Sequence, residues 1–461
     1  MFNYRLQIIV FFILISFNVY GQDDSDVHVI QQIHDEALLH GDAYQLLSEL
    51  TSSCPGRIGG SENYRKAATF MKGALSKISG VKSSLQPCQA NYWKRGDVEN
   101  VYMTGKDEKL EPLDCTALGN SGSTPQEGIF AEIIEVHDLD TLEKLGVEGI
   151  SGKIVFFNRP MDPTKTRTFS AYGGAVDQRV YGPARASKYG ASAALVRSMT
   201  LRSDDNPHTG VTVFPDSIQP IPAIALSTNA SDKLSKALKS GSVSAFVQFA
   251  AENLGLQESP TVIGEIKGSE HPEEIILVGG HLDSWDISPG AHDDGAGCVQ
   301  SVEVLRILKA IGYKPKRTLR CVLFSNEENG LAGGKKYAEV SSAAHEFHLA
   351  AIESDAGGFS PRGFSMDADT SVFTRYYGRV NQWASLLEPY DLYFFKGGTG
   401  SDISPLKNQN GLLIGLRPDS QRYFDFHHTK IDTIDAVNPR ELSLGAAAMA
   451  SMVYLIDKYG L

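Results

Sequence analysis

The stretch Gly279–Gly297, GGHLDSWDISPGAHDDGAG, follows a short apolar run, Glu274–Val278, and precedes a helical pattern that starts near Gly295. A buried strand, a loop and a helix in that order make one unit of an open α/β sheet, whose chemistry lies at the carboxyl ends of its strands. The loop carries His281, Asp283, Asp286, His292, Asp293 and Asp294, separated by Gly, Ser and Pro. Imidazoles and carboxylates in such a loop are what a divalent cation needs for ligands. A polar loop that only caps a helix is the plainer alternative, so the reading turns on what else the chain carries.

Downstream, the same unit repeats. Apolar residues recur at helical spacing over Cys298–Ile311, and Thr318–Phe324, Leu349–Ile352 and Gly411–Leu416 read as strands. A long helical pattern spans Asp435–Tyr459. Strands alternating with helices predict an α/β fold with a mostly parallel central sheet covered on both faces. After the second strand comes Asn326-Glu327-Glu328-Asn329, after the third Glu353-Ser354-Asp355, and after the fourth a loop ending in His427-His428-Thr429. In an open sheet these carboxyl ends share one edge, so the side chains can converge. Two divalent ions about 3.5–4 Å apart need a bridging carboxylate and further ligands on each side. Mixed His and carboxylate donors suit zinc. Adjacent Glu327 and Glu328 point different ways in an extended loop, so one can bind metal while the other faces the water that the metal activates.

Upstream the texture differs. Ser61 is placed to cap a helix through Ile78, and Pro55–Gly60 is a turn-rich connector without a ligand cluster. From residue 119 strand patterns return at Ile129–Val136, Lys153–Phe157, Ala193–Val196, Ala223–Leu226 and Val243–Phe249. No ligand spacing recurs among them. This reads as an inserted accessory domain over 119–254, with 22–118 and 255–461 forming the catalytic domain. The chain's 461 residues fit two domains. A hydrophobic content of 42% and a charged content of 21% are ordinary for a soluble globular protein. The net charge of −12 argues against phosphate backbones and anionic membrane surfaces as partners.

At the amino end, Arg5 precedes an apolar run, Ile8–Phe17, with small residues at Val19 and Gly21. That is a signal-peptide pattern over residues 1–21, too short to span a bilayer, and it predicts a secreted or periplasmic protein with no membrane anchor after cleavage. Five cysteines leave an odd count, and a disulfide among Cys54, Cys88 and Cys115 stays open.

The segments GGHLDSW, HDDGAG, NEENG, ESDAGG and HHTKIDT together resemble those of the di-zinc aminopeptidase and glutamate carboxypeptidase family. The likeness covers nearly the whole mature chain, including RIGGSENYRKA near its start. GKIVFF and IPAIALS make the insert similar to a protease-associated domain. The resemblance implies two zinc ions per chain. His281 and Asp355 would hold one, Glu328 and His428 the other, and Asp293 would bridge them. Glu327 would be the general base and acid. Asp283 would orient His281 through its other ring nitrogen, and His427 would support the oxyanion. A cis peptide between Asp293 and Asp294 is implied as well. Asp425 departs from the family, where an aromatic residue is usual. The implied activity is hydrolysis of dipeptides or short peptides with free termini, by a homodimer. The sequence leaves open a broader aminopeptidase, a one-zinc glutaminyl cyclase and a non-catalytic receptor-type module. Arg417, Arg422 and Lys396 are candidates for gripping a substrate carboxylate, and Asp402 lies on a Gly-rich loop that can line the cleft.

Overall fold

The computed structural model describes residues 24–104 and 109–461, so the expected signal peptide lies outside the described residues. Two eight-stranded sheets organise the chain. In spatial order the first contains β1 (Lys82–Gln86), β10 (Thr261–Ile266), β12 (Arg317–Phe324), β11 (His271–His281), β13 (Phe347–Glu353), β16 (Leu412–Pro418), β14 (Pro361–Asp367) and β15 (Tyr393–Lys396). The second contains β3 (Leu110–Pro112), β2 (Gln89–Thr104), β9 (Ser244–Glu258), β5 (Ile129–Val136), β6 (Ile154–Phe157), β7 (Ala193–Arg197), β8 (Ala223–Leu226) and β4 (Cys115–Ala117).

The first sheet is mixed, not mostly parallel as the alternation of strands and helices predicts. Its four central strands, β12, β11, β13 and β16, are parallel. The flanks reverse: β10 runs antiparallel to β12, β1 to β10, and β14 to β16. The chain passes from β10 to β11 through residues 267–270 with no helix between. A connection that short turns the chain back, whereas parallel neighbours need a crossover. The central strands are buried on both faces with a period of two. Ile276 and Val278 face one core with Leu319, Leu323 and Ile352, while Leu277 faces the other with Val322, Phe324 and Leu413. Helices Ala296–Ala310 and Pro439–Tyr459 pack together over the first of these faces.

The second sheet draws its strands from Gln89 to Glu258, a wider span than 119–254. The extra length comes from β2, which pairs antiparallel with β9 from Gln89 opposite Glu258 to Met103 opposite Ala245. The segments entering and leaving this unit are therefore zipped together. β2 reads QANYWKRGDVENVYMT, with charges where an apolar alternation would have marked it. Among the described residues all five cysteines are unpaired, Cys115 being the least buried. No described helix is long and apolar enough to cross a membrane.

Candidate metal centre

The parallel register brings the carboxyl ends of β11, β12, β13 and β16 to one edge. His281 ends β11 and is 1% exposed. Its Nε2 lies 3.3 Å from Asp293 Oδ1 and 3.5 Å from Asp355 Oδ1. The other oxygen of Asp293, Oδ2, lies 3.4 Å from His428 Nε2 and 3.8 Å from His427 Nε2. His428 Nε2 is also 2.9 Å from Glu328 Oε2. Asp293 thus stands between two groups of donors, one with His281 and Asp355, the other with His428, His427 and Glu328. Within the sets His281–Asp293–Asp355 and Asp293–His427–His428, the donor atoms all lie within 4.8 Å of one another. The imidazoles of His427 and His428 stack with ring centroids 3.5 Å apart.

Each ligand-type side chain is held by the chain around it. The Asp293–Asp294 peptide bond is cis. The Asp294 carboxylate accepts hydrogen bonds from the His281 and Gly297 backbone N–H groups, at 3.1 and 3.0 Å. A side chain on Gly297 would strike that carboxylate and the Ser354 carbonyl, so the close approach requires glycine. The His292 and Asp293 N–H groups donate to Asp432, at 2.7 and 3.0 Å. The Arg57 guanidinium is fully buried and donates to the carbonyls of Leu282, Pro289 and Gly290, pinning the loop between His281 and Asp293. His428 Nδ1 lies 3.1 Å from the Thr209 carbonyl of the second unit, and the Thr209 N–H returns a bond to the His428 carbonyl at 3.0 Å.

Asp283 is placed differently from the sequence expectation. His281 Nδ1 lies 3.1 Å from the backbone carbonyl of Asp283 and 3.7 Å from its carboxylate. The carboxylate, fully buried, instead accepts from the N–H groups of Glu327 and Glu328, at 3.1 and 3.3 Å. The backbone orients the imidazole, and the side chain holds the Glu327–Glu328 loop. Two amides converging on one buried anion are a stronger restraint than a long contact to a ring nitrogen.

The electrostatics match a cation. Glu328 Oε1 and Asp293 Oδ2 are buried without a hydrogen-bond partner among the described residues, as is His427 Nδ1. Burying carboxylate oxygens without partners is costly unless a counter-charge meets them. Burial holds His428 down at about 3 and keeps His427 well below its usual range. Both imidazoles are therefore neutral, as metal ligands must be. Burial also lowers His281, but Asp293 and Asp355 outweigh it and hold that imidazole well above its usual range. The proton drawn there occupies the position a cation would take. Glu327 is pushed up to about 8 by burial, opposed by His281 and reinforced by Asp355, Asp283 and Asp293. Cations beside it would pull it back toward the range where it can accept a proton near neutral pH.

The remaining candidates lie outside this centre. Asp286 forks onto Arg95 of β2, at 2.7 and 2.9 Å, and ties the loop to the second sheet. His292 stacks on Phe359 at 4.2 Å, with Nε2 3.1 Å from the Ala436 carbonyl. Asp402 is buried behind the centre, and its two oxygens have no partner among the described residues. Burial and the Glu353 carboxylate push it well above the usual range. Arg422 lies over Phe359 and 3.6 Å from Glu441. Burial raises Asp425, which makes no ligand-range contact to the centre among the described residues. Arg57, Thr209 and Asp294 were not singled out for these roles by sequence. Only Asp432 had a usable signal, its place in the HHTKIDT segment.

Residues 261–453 match the model of peptidase family M28. The chain is 31% identical to carboxypeptidase Q of Bos taurus, over 95% of its own length and 93% of the bovine chain. It is 32% identical to carboxypeptidase Q of Homo sapiens, over 90% and 85% respectively. Its structure is similar to the crystal structure of a peptidase M28 precursor from Shewanella amazonensis, with a TM-score of 0.88 and 30% identity over 95% of this chain and 97% of that one.

Proposed function

Because the chain belongs to peptidase family M28, we propose that it is a zinc-dependent exopeptidase acting on dipeptides or short peptides with free termini. The observation that carries this reading is the Asp293 carboxylate, with Oδ1 3.3 Å from His281 and Oδ2 3.4 Å from His428. In this reading His281, Asp355 and Asp293 hold one zinc, and Asp293, Glu328 and His428 hold the other. When bound, the pair supplies Lewis acidity to the scissile carbonyl and acidity to the attacking water. Glu327 takes the proton of that water on its carboxylate and passes it to the nitrogen of the leaving amine. Asp283 holds the Glu327 backbone in place for both transfers, a role supported by its bond to the Glu327 N–H at 3.1 Å. His427, stacked on His428, supports the developing oxyanion.

One observation favours a variant of this assignment. His427 Nε2 lies 3.8 Å from Asp293 Oδ2, which makes it a competing donor to the second ion. The division into a peptidase unit and an inserted accessory unit, export after Gly21 and a homodimer belong to the same proposal. Mass in solution and sequencing of the mature amino terminus check the last two.

The test is metal content per chain beside dipeptide and tripeptide hydrolysis, before and after chelation and zinc return. About two zinc per chain, with activity lost and restored, is the expected result. Cleavage of tripeptides as fast as dipeptides would favour a broader aminopeptidase. About one zinc without peptide cleavage would favour a cyclase, and no metal a binding module.

A further inference from the structure

A pocket of about 540 Å³ opens beside the metal centre at Ala356, the residue after Asp355. Its wall carries Arg167, Arg362, Lys396 and Arg417 and no Asp or Glu. In a chain of net charge −12 that is a local inversion of sign. The cations are poorly neutralised. Arg417 donates to Ser365 Oγ at 2.7 Å and to the carbonyls of Gly398 and Thr399, none of them anionic. Lys396 lies 5.0 Å from the Tyr377 ring centroid, and no described carboxylate pairs with it or with Arg167. Only Arg362 has an acidic partner, the partly exposed Asp419 at 3.3 Å. Arg167 comes from the second unit and the other three from the first sheet, so the pocket is completed where the two meet. Phe169 supplies an apolar wall and stacks on Tyr423, with centroids 5.3 Å apart.

We propose that this pocket takes a carboxylate of the substrate on the leaving side of the scissile bond. The inference rests on the peptidase reading and deepens it: the preferred substrates end one residue past the bond that is cut. A residue adds about 3.5 Å of chain. The α-carboxylate of a dipeptide therefore lies one residue from the reacting carbonyl, as the pocket mouth lies one residue from Asp355. The volume falls within the roughly 300–1,000 Å³ usual for small-ligand sites. Arginine presents a fork that matches a carboxylate, and lysine adds a mobile point charge. The same chemistry is offered by the α-carboxylate of a dipeptide or by an acidic side chain, and the α-carboxylate is the one expected here because it is present on every dipeptide.

The experiment compares kcat/KM of the zinc-loaded enzyme on alanyl-alanine, alanyl-alanine amide and alanyl-glutamate amide. Alanyl-alanine is expected to be preferred over its amide by about tenfold or more, chiefly through KM. Arg167→Met and Lys396→Met, each assayed with zinc content measured, should lower that preference. If one variant does not fold, the other still reports. Equal cleavage of acid and amide would overturn the pocket assignment and leave the peptidase reading standing. A preference restored by alanyl-glutamate amide would move the recognised group to the side chain and overturn the dipeptide specificity. Full zinc without cleavage of any peptide would overturn the peptidase reading, and this one with it.

Discussion

Replacing Asp283 by Asn separates two accounts of the same residue. The wild-type carboxylate accepts two backbone N–H bonds, from Glu327 at 3.1 Å and Glu328 at 3.3 Å, in a fully buried position. Asn keeps one acceptor oxygen and turns an NH2 toward the second amide. One charge-assisted bond becomes neutral, and a buried N–H is left facing a donor. With charge-assisted bonds at about 1.5–3 kcal/mol and an unmet buried donor at about 1–3 kcal/mol, the combined loss is about 2–4 kcal/mol. If all of it appears as misplacement of Glu327, kcat/KM falls by about 30- to 700-fold, at roughly 1.4 kcal/mol per factor of ten. Part of it will appear in folding stability instead, so the assay measures urea unfolding beside dipeptide turnover and zinc content. Zinc content should not change, because His281 is oriented by the backbone carbonyl at residue 283, which Asn retains. Loss of one zinc per chain with stability intact would return Asp283 to His281 and refute the reasoning. Unchanged stability and turnover would refute it equally.

Glu327→Gln should keep both metals and lower kcat by about 10²–10⁴-fold, the usual range for general acid–base catalysis; near-normal kcat would remove Glu327 from the proton transfer. His427→Ala should keep two zinc per chain and lower kcat, whereas a drop in zinc stoichiometry would make His427 a ligand. His348 is 2% exposed, and burial brings it down to about 4 in the folded chain. Its folded value lies below its unfolded one, so the unfolded chain binds the extra proton and stability falls as pH drops from about 6.5 to about 4, by about 2–3 kcal/mol. His348→Gln should flatten that part of the stability profile in urea melts, and an identical profile would show that His348 does not carry it.

The four central strands were legible because each is an apolar run followed by a polar loop. Glu274–Val278, Thr318–Phe324, Leu349–Ile352 and Gly411–Leu416 fall within or within one residue of β11, β12, β13 and β16. Their parallel register then brings their loops to one edge, and that edge holds the centre. The flanking antiparallel strands were not legible. β1 and β15 are short and largely exposed, and β2 mixes charges into a ribbon stabilised by its partner β9, not by a buried face. The sheet's mixed character was missed for the same reason. At the site, residue types with ligand chemistry announced themselves, whereas Arg57 and Thr209 act through backbone carbonyls and have no spacing rule. Asp283 was read by its type, but its carboxylate is occupied by two amides that only the fold brings to it.

The paired bonds between Thr209 and His428 bear on how separable the two halves of the molecule are. An imidazole that must meet a cation is aimed by a carbonyl belonging to the other sheet. The first sheet cannot be lifted out as a minimal enzyme by closing the chain across residues 89–258 without leaving that ring unaimed. Chimeras between relatives should work only when the loop around Thr209 and the loop around His428 are exchanged together. Small rocking of one unit against the other would reach the reacting atoms as a tilt of a single ring, which makes the seam between the sheets a place where distant substitutions can tune turnover.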